Sequence, residues 1–176
     1  RARSSTWKAK RTTSRSWADA TLVAALCAVD PSCGGVSIRA GAGPVRDEWL
    51  ALLRSLLPDG APVRRVPTHV HDDRLLGGLD LVATLRAGRP VSEKGLLALA
   101  DGGLVIVAGA ERVTSLVAAR LATASEAGEV RVERDGVTMR SPARFLLAIL
   151  DEGSADDERP AAVLLERLAY LLELDR

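Results

Sequence analysis

The chain has 176 residues, a length typical of one domain, and its 47% hydrophobic and 27% charged residues exclude a wholly disordered chain. Its net charge is only +1, and its aromatic content of 3% argues against a nucleic-acid platform built on stacked rings. The longest uncharged apolar stretch near the start, residues 20–29, is much shorter than the roughly 20 residues that cross a bilayer, so we expect no membrane span.

Residues 1–16 form a distinct basic segment. They contain six lysines and arginines, no acidic residue and little to bury, which predicts a disordered or loosely attached tail before a domain over residues 17–176. The same composition fits an arm that touches nucleic acid or acidic lipid, and it fits a transit peptide. Beyond this segment, Cys27 and Cys33 form no CxxC or zinc pattern, so we predict two inert thiols in a reducing compartment.

The first part of the domain alternates helices and strands. Ser16 is a suitable N-cap for a helix over residues 17–29, and Asp30-Pro31 ends that helix. The next predicted elements are a short strand over 35–39, a glycine-rich turn over 41–44, an amphipathic helix over 45–57 and a strand over 63–66.

The second part begins with residues 67–93, which predict irregular chain with short turns or hairpins. Asp135-Gly136 lies between alternating residues and predicts a hairpin over 129–140, while Pro160 is placed to open a last helix. The other elements are a short helix over 94–101, a buried strand over 103–108, a helix over 110–127, a buried strand over 145–150 and an acidic loop over 151–159. This alternation predicts an α/β domain with helices layered on a mainly parallel sheet.

The turn after the first strand has the setting of a phosphate-binding loop. Its backbone N–H groups, at the start of a helix, would hold an anion. The working motif, G-x-x-x-x-G-K-[ST], uses its lysine on the phosphates and its hydroxyl on Mg²⁺, but Pro44 and Val45 follow Gly43. The turn is therefore a decayed phosphate loop, with Gly41, Gly43 and Arg46 as its weak remnant, or simply a structural turn between a strand and a helix.

A second motif of nucleotide hydrolases, the acidic pair, is also absent, which again indicates a decayed nucleotide site. The apolar strand over residues 103–108 ends in Ala108-Gly109, where a nucleotide hydrolase would carry the acidic pair that manages Mg²⁺ and water.

Four ordered segments resemble the AAA+ module of magnesium chelatase. They are residues 36–49, similar to its first strand, loop and helix; residues 71–80, similar to its D-R-[LV]-[LV]-G-x-[LI]-D segment; residues 89–103, similar to its G-L-L-x-x-A-x-x-G run; and residues 158–168, similar to its R-P-x-L-L-D-R-F ending with one residue inserted. The resemblance covers about residues 18–176. It implies a three-layer αβα domain of the AAA+ type, related to P-loop NTPases, with a degenerate nucleotide site.

The departures from the family pattern resemble those of its D subunit, whose nucleotide site has decayed, rather than its I subunit, an active ATPase. Pro44 and Val45 stand where the I subunit has Lys and Ser/Thr, and Ala108-Gly109 stands where it has Asp-Glu. The asparagine that senses the γ-phosphate is replaced near Asp151. We therefore expect the amino-terminal AAA+ part of a D subunit, a fragment of a longer chain that continues into an integrin-I-like domain.

The resemblance implies a platform that does not hydrolyse ATP, in a complex that inserts Mg²⁺ into protoporphyrin IX for (bacterio)chlorophyll synthesis. The expected partners are the I subunit, which forms an ATPase ring, and the porphyrin-binding H subunit. ATP and Mg²⁺ are expected to belong to the partner subunit, with no cofactor of this chain's own. The expected location is the cytoplasm, or the plastid stroma if residues 1–16 belong to a transit peptide.

Two arginines are candidates for a finger that reaches the nucleotide of a neighbouring subunit. Arg167 matches the family's D-R-F arginine, and Arg159 is the second candidate. A finger supplied in trans stabilises the charge of a phosphoryl-transfer transition state. On the residues alone, Arg167 is equally a partner for Glu166 or an exposed helix residue.

Other function classes stay open on the residues alone. An independent nucleotide hydrolase would use Arg46 in place of the lysine, and a metal-dependent hydrolase would use His69, His71 and Asp72. These residues do not specify a metal site. The acidic loop over 151–159 either attracts Mg²⁺ or is simply solvated, and the hairpin over 129–140 is a possible contact surface.

Overall fold

Six parallel strands form the central sheet of the protein. The computed structural model describes residues 12–89, 91–134 and 137–174. In chain order its elements are β1 (Thr12–Ser14), α1 (Trp17–Val29), β2 (Val36–Arg39), α2 (Pro44–Leu56), β3 (Val63–Val66), α3 (Asp72–Leu76), β4 (Gly77–Leu79), α4 (Leu81–Ala87), β5 (Ser92–Lys94), β6 (Leu104–Ala108), α5 (Ser115–Ala127), β7 (Glu129–Arg134), β8 (Val137–Pro142), β9 (Leu146–Asp151), α6 (Ala162–Leu165) and β10 (Tyr170–Glu173), with 3₁₀ turns at Ala98–Ala100 and Ala110–Arg112. The spatial order of the sheet is β1-β10-β2-β9-β6-β3, and β4-β5 and β7-β8 form separate antiparallel pairs.

The two faces of the sheet carry two separate apolar cores. Successive side chains of a strand point to opposite faces, and β6 obeys this rule. Its Leu104 and Ile106 pack with α1 and α2, whereas Val105 and Val107 pack with α5 on the other face. Because both faces are covered by helices, β6 and β9 are apolar along their length, as parallel central strands require.

Trp49 anchors helix α2 beneath helix α1. Its indole is fully buried, and its Nε1 donates a hydrogen bond to the Ala20 carbonyl oxygen at 2.8 Å. This bond satisfies the polar edge of a large aromatic side chain that otherwise contributes apolar area. The helix that follows the glycine-rich turn is thereby fixed against the sheet.

The α/β class and the parallel sheet are confirmed. Helix α1 and strand β3 have the predicted bounds, and β2, α2, β6 and β9 lie within a residue or two of theirs. None of the described helices has the length and apolarity that a bilayer crossing requires.

The prediction of irregular chain over residues 67–93 is wrong. This stretch contains α3, β4, α4 and most of β5. Its pairing depends on a very close backbone approach, because a Cβ added to Gly95 would lie 2.2 Å from the Gly77 amide nitrogen. Such an approach has no apolar periodicity, so the sequence pattern did not reveal it.

The predicted helix over residues 94–101 is also wrong. Lys94 is the last residue of β5, and the only helical turn described there is the 3₁₀ turn at Ala98–Ala100. The predicted helix over 110–127 is divided, since a 3₁₀ turn precedes α5 and Thr114 caps α5 with its side chain.

The end of the chain differs from the prediction in two ways. Pro160 does not open the last helix, because α6 begins at Ala162 with Ala161 as its N-cap, and it spans only four residues. Residues 170–173 form β10, the strand between β1 and β2. The apolar run before it resembles a continuing helix, which hid the strand.

At the other end, part of the predicted tail is a strand. Thr12–Ser14 pairs with β10 as an edge strand, so the prediction of a loose segment fails for these residues. The Arg15 guanidinium also pairs with the Glu173 carboxylate at 2.6 Å. Residues 1–11 lie outside the described part of the chain, as do Asp135 and Gly136 of the predicted hairpin turn.

Candidate functional site

The glycine-rich turn lies at the carboxyl edge of the sheet, between the end of β2 and the start of α2. Gly43 precedes Pro44, the first residue of α2, with an extended φ of 170°. A Cβ added to Gly41 or Gly43 would meet no atom within 4 Å, so the surrounding protein does not itself require glycine there. Pro44 removes one of the N–H donors that a phosphate would need at this helix start.

Arg46, on the first turn of α2, points to the end of β9 rather than into open space. Its Nη1 donates to Glu152 Oε1 at 2.7 Å, and the other oxygen of Glu152 accepts from Arg112 Nη2 at 2.9 Å. Arg112 also pairs with Glu111 at 2.6 Å, and the Glu152 amide donates to Glu111 at 3.0 Å. We call Arg46, Glu111, Arg112 and Glu152 the Glu152 cluster.

The geometry of Gly109 explains how Arg112 reaches this cluster. Gly109 follows β6 with a left-handed φ of +61°, and a Cβ there would lie 2.2 Å from Arg112 Nη2. The guanidinium therefore lies directly over the glycine backbone. The hydrogen bond to Glu152 is the main reason that the pKa of Arg112 is raised. Where an acidic pair would follow β6, the protein instead has a glycine that admits an arginine.

A second set of ion pairs surrounds Asp151, the last residue of β9. Its side chain is only 3% exposed, and its Oδ2 lies 3.0 Å from Arg39 Nη1 and 3.6 Å from Arg159 Nη1. The Gly153 amide donates to Oδ1 at 3.1 Å. A carboxylate therefore stands near the position where the asparagine sensor was expected, and it is engaged by arginines of its own chain.

The acidic loop after β9 is folded on itself. The Glu158 carboxylate accepts hydrogen bonds from the Ser154 and Ala155 amides at 2.9 and 3.3 Å, which lower its pKa. Arg39 Nη2 donates to the Ala155 carbonyl at 2.9 Å. The Glu158 side chain thus serves as an acceptor within the loop. Among the described residues, no group of three or more His, Cys, Asp or Glu side chains is placed to hold a metal ion.

The residues at this edge do not fit a magnesium–triphosphate. No ammonium group follows Gly43, the guanidinium of Arg46 is held by a carboxylate, and Glu152 itself would repel an incoming phosphate. The cationic groups that could bind an anion are already neutralised by side chains of the chain itself.

Arg167 lies at the opposite, amino edge of the sheet. It lines a cleft of about 620 Å³ together with Gly35, Gly102 and Phe145, residues that precede β2, β6 and β9. Its Nη1 pairs with Glu126 Oε1 at 2.5 Å, and its side chain is 44% exposed. The two arginine-finger candidates are therefore separated, because Arg159 pairs with Asp151 at the carboxyl edge of the sheet.

The two histidines are exposed and lie before α3. His71 is the N-cap residue of α3 but makes no capping hydrogen bond, and Asp72 pairs with Arg120 at 3.2 Å. The carboxylate of the hypothetical hydrolase site is thus paired with a helix arginine.

Sequence reasoning missed three partners that complete the carboxyl edge, Arg39, Glu111 and Arg112, and it placed Glu152 only in the acidic loop over 151–159, without its arginine partners. A usable signal existed, because each of them follows or ends a predicted buried strand, and parallel strands present their ends at one edge.

The fold and this edge define the class of protein: an α/β domain of the AAA+ type whose phosphate-loop region is filled by its own ion pairs. The chain matches no protein-family profile. It is 38% identical over 160 residues to the magnesium-chelatase 60 kDa subunit of Cereibacter sphaeroides. This alignment covers 90% of this chain and 25% of the relative. It is 35% identical over 147 residues to the 67 kDa subunit of Chlorobaculum tepidum, covering 84% of this chain and 23% of the relative.

A solved structure gives the same result. A chain in the complex between subunits BchI and BchD of magnesium chelatase superposes with a TM-score of 0.72 at 28% identity, covering 89% of this chain and 58% of that chain. The chain is therefore a homologue of the magnesium-chelatase D-type subunits, and the predicted resemblance is confirmed. It spans about a quarter of the length of these two curated relatives.

Proposed function

We propose that this chain is the AAA+ platform of a D-type subunit of magnesium chelatase, which does not hydrolyse ATP and docks on the ATP-hydrolysing I subunit. The assembly would insert Mg²⁺ into protoporphyrin IX, as a ligase that forms nitrogen–metal bonds. The homology supports this family, and the matching structure is of a complex between the subunits BchI and BchD. The observation that carries the proposal is the Glu152 cluster, which uses up the cations that a nucleotide would need.

The cluster explains how the domain holds its shape without a nucleotide. In the arrangement of a working phosphate loop, bound phosphates neutralise the positive end of the helix and its cationic side chain. Here Glu152 bridges Arg46 on α2 and Arg112 after β6. The carboxylate therefore joins the same elements that a bound phosphate would join. ATP and Mg²⁺ belong to the partner subunit in this proposal.

Arg167 is the residue through which the platform would act on its partner. Its guanidinium is accessible at the mouth of the amino-edge cleft and is held there by Glu126. A γ-phosphate presented by a neighbouring subunit carries more negative charge than a carboxylate, so it would compete for the guanidinium. In that position Arg167 would stabilise the charge of the transition state. Arg159 is less suited, because its partner Asp151 is a buried carboxylate that would lose part of its compensation, whereas Glu126, the partner of Arg167, is exposed.

The remaining partners follow from the family rather than from a surface of this domain. The porphyrin-binding H subunit and a ring of subunits complete the proposed assembly. The complex would work in the cytoplasm, or in the plastid stroma if residues 1–16 belong to a transit peptide.

The experiment mixes a full-length chain that contains this domain with the I subunit and the H subunit. We expect Arg167→Ala to lower magnesium insertion and the partner's ATP turnover by at least about tenfold, with the complex still assembling. Arg120→Ala is the matched control, since Arg120 is also exposed and ion-paired but lies near α3, away from the cleft. Unchanged rates for Arg167→Ala would remove the finger role.

A second measurement tests the platform itself. The chain alone should turn over no ATP above background, because the residues at the carboxyl edge do not fit the nucleotide. Robust, Mg²⁺-dependent hydrolysis by the purified chain would overturn the proposal and favour the independent hydrolase.

A further inference from the structure

Cys27 and Cys33 form a close pair of thiols at the end of α1. Their Sγ atoms lie 3.6 Å apart, and both cysteines are free thiols. Cys27 is fully buried in the last turn of the helix, whereas Cys33 is partly exposed in the loop before β2. The spacing of six residues gave no sign of this contact, because the turn at Asp30-Pro31 folds Cys33 back onto the helix.

The two thiols are chemically unequal. In the ionised pair the Cys27 thiol donates a hydrogen bond to the Cys33 thiolate, which lowers the pKa of Cys33 to about 7. That hydrogen bond and burial raise the pKa of Cys27. Cys33 is therefore the accessible nucleophile, and Cys27 is the buried thiol held beside it.

We propose that Cys27 and Cys33 are a reversible dithiol–disulfide site that exchanges with small-molecule disulfides of the glutathione type. The Cys33 thiolate attacks one sulfur of the oxidant, whose S–S bond breaks and releases one thiolate that takes a proton from water. Cys27 then loses its proton to water and attacks Cys33 Sγ, which breaks the mixed disulfide and releases the second small thiol. Two protein thiols lose two electrons in total, and one small disulfide is reduced to two thiols.

The geometry favours closure over a lasting mixed disulfide. A disulfide needs an S–S distance of about 2.05 Å, so the two sulfurs must approach by roughly 1.5 Å. Cys33 lies in the loop before β2, so the approach can be made from the loop side while Cys27 stays packed in α1. The contact also places the resolving thiol next to the bond that it must break.

Formation of the Cys27–Cys33 disulfide would affect the segment that carries Arg167. The loop that contains Cys33 continues into Gly34 and Gly35, whose carbonyls accept hydrogen bonds from the Ala169 and Tyr170 amides at 3.1 and 3.3 Å. Movement of Cys33 towards α1 therefore pulls on the backbone just after Arg167. The effect on partner activity rests on the proposed function, whereas formation of the disulfide does not.

The test titrates the wild-type chain with mixtures of reduced and oxidised glutathione, then blocks remaining thiols with N-ethylmaleimide and weighs the protein. We expect both thiols to become unreactive together, with a mass lower by two hydrogen atoms, and dithiothreitol to restore both. Cys27→Ala should instead keep a glutathione adduct on Cys33, because the resolving thiol is gone. A lasting adduct on the wild-type chain, or two thiols that stay reactive in oxidised glutathione, would overturn the site.

The coupling between the disulfide and the segment after Arg167 is tested by a separate measurement. Hydrogen exchange of the Ala169 and Tyr170 amides should change by at least about tenfold between the reduced and oxidised chain. Unchanged exchange in a chain that has formed the disulfide would overturn the coupling to Arg167. Neither measurement needs a partner subunit, so failure of this inference and failure of the proposed function are separate results.

Discussion

Glu152 shows how one side chain can replace a ligand. It accepts hydrogen bonds from two arginines that come from different elements, and it is itself only about one-fifth exposed. An ion pair in such a position is sensitive to loss of one member, because the remaining charge is left without compensation. The carboxyl edge is therefore held together by residues that sequence motifs of nucleotide hydrolases do not include.

Replacing Glu152 by alanine should expose this role. Arg46 would lose its close carboxylate partner and keep only the exposed Asp47 at 3.5 Å, while its own side chain remains 14% exposed, so we expect a loss of about 2 kcal/mol in the free energy of unfolding, measured with urea. Millimolar pyrophosphate should raise the urea midpoint of this variant but not that of the wild type. Glu48→Ala is the control, because Glu48 is exposed on α2, the helix that carries Arg46. This variant should leave the free energy of unfolding nearly unchanged. Equal stability of the two variants would contradict the role of Glu152.

The thiol of Cys33 should react at a lower pH than an ordinary cysteine. Its pKa is lowered to about 7, chiefly by the Cys27 hydrogen bond, so the thiolate forms as the pH rises through about 7 rather than through about 8.5. The rate of alkylation by iodoacetamide, followed by mass spectrometry between pH 5.5 and about 9.5, should show this midpoint. In Cys27→Ala the midpoint should move upwards, and a wild-type midpoint near 8.5 would show that the hydrogen bond is ineffective.

Helices in this fold begin with and without side-chain caps. Thr114 accepts a hydrogen bond from the Val117 amide at 3.3 Å and opens α5, which supplies Val117 and Leu121 to one core. Ser16 occupies the equivalent position of α1 but makes no capping hydrogen bond. Thr114 and Ser16 have similar chemistry and begin two helices, but we predict that only Thr114 contributes substantially to the free energy of unfolding.

Thr114→Ala should cost about 1 kcal/mol of unfolding free energy, because one N–H at the start of α5 loses its acceptor. Ser16→Ala should cost less than about 0.5 kcal/mol, since no capping bond is lost. Thermal or urea unfolding of both variants measures the difference. A larger loss for Ser16→Ala would reverse the assignment.

The predictability of the elements followed from how each is stabilised. Helix α2 was identified by its amphipathic periodicity, α1 by its start at Ser16 and its end at Asp30-Pro31, and β6 and β9 by their continuous apolar runs. Residues 72–94 were missed because a backbone contact between Gly77 and Gly95 organises their short elements. Strand β10 was missed because the apolar run before it resembles a helix that continues to the end of the chain.

Across the whole molecule, the candidate site residues are divided between the two edges of the sheet. The missing lysine and acidic pair predicted that the carboxyl edge is altered, but not what fills it. Arg46, Arg112 and Glu152 are up to 106 residues apart, so local spacing does not relate them, and their only common signal is a position near the strand ends. The family motif identified Arg167, yet only the structure shows that Arg167 and Arg159 lie at opposite edges of the sheet.

This division predicts that the chain alone is indifferent to nucleotide. A ligand that binds the folded state at 100 times its dissociation constant raises the free energy of unfolding by about 2.7 kcal/mol, which for a domain of this size is a shift of several degrees in Tm. With 1 mM Mg²⁺–ATP we therefore expect a Tm within about 1 °C of that in sodium chloride of equal ionic strength, because the cations of the phosphate-loop edge are already paired. The same titration on Glu152→Ala serves as the internal comparison, since freed arginines should give it at least a small response. A rise of several degrees in the wild-type chain would mean that the Glu152 cluster opens for a triphosphate, and that the platform has a nucleotide site of its own.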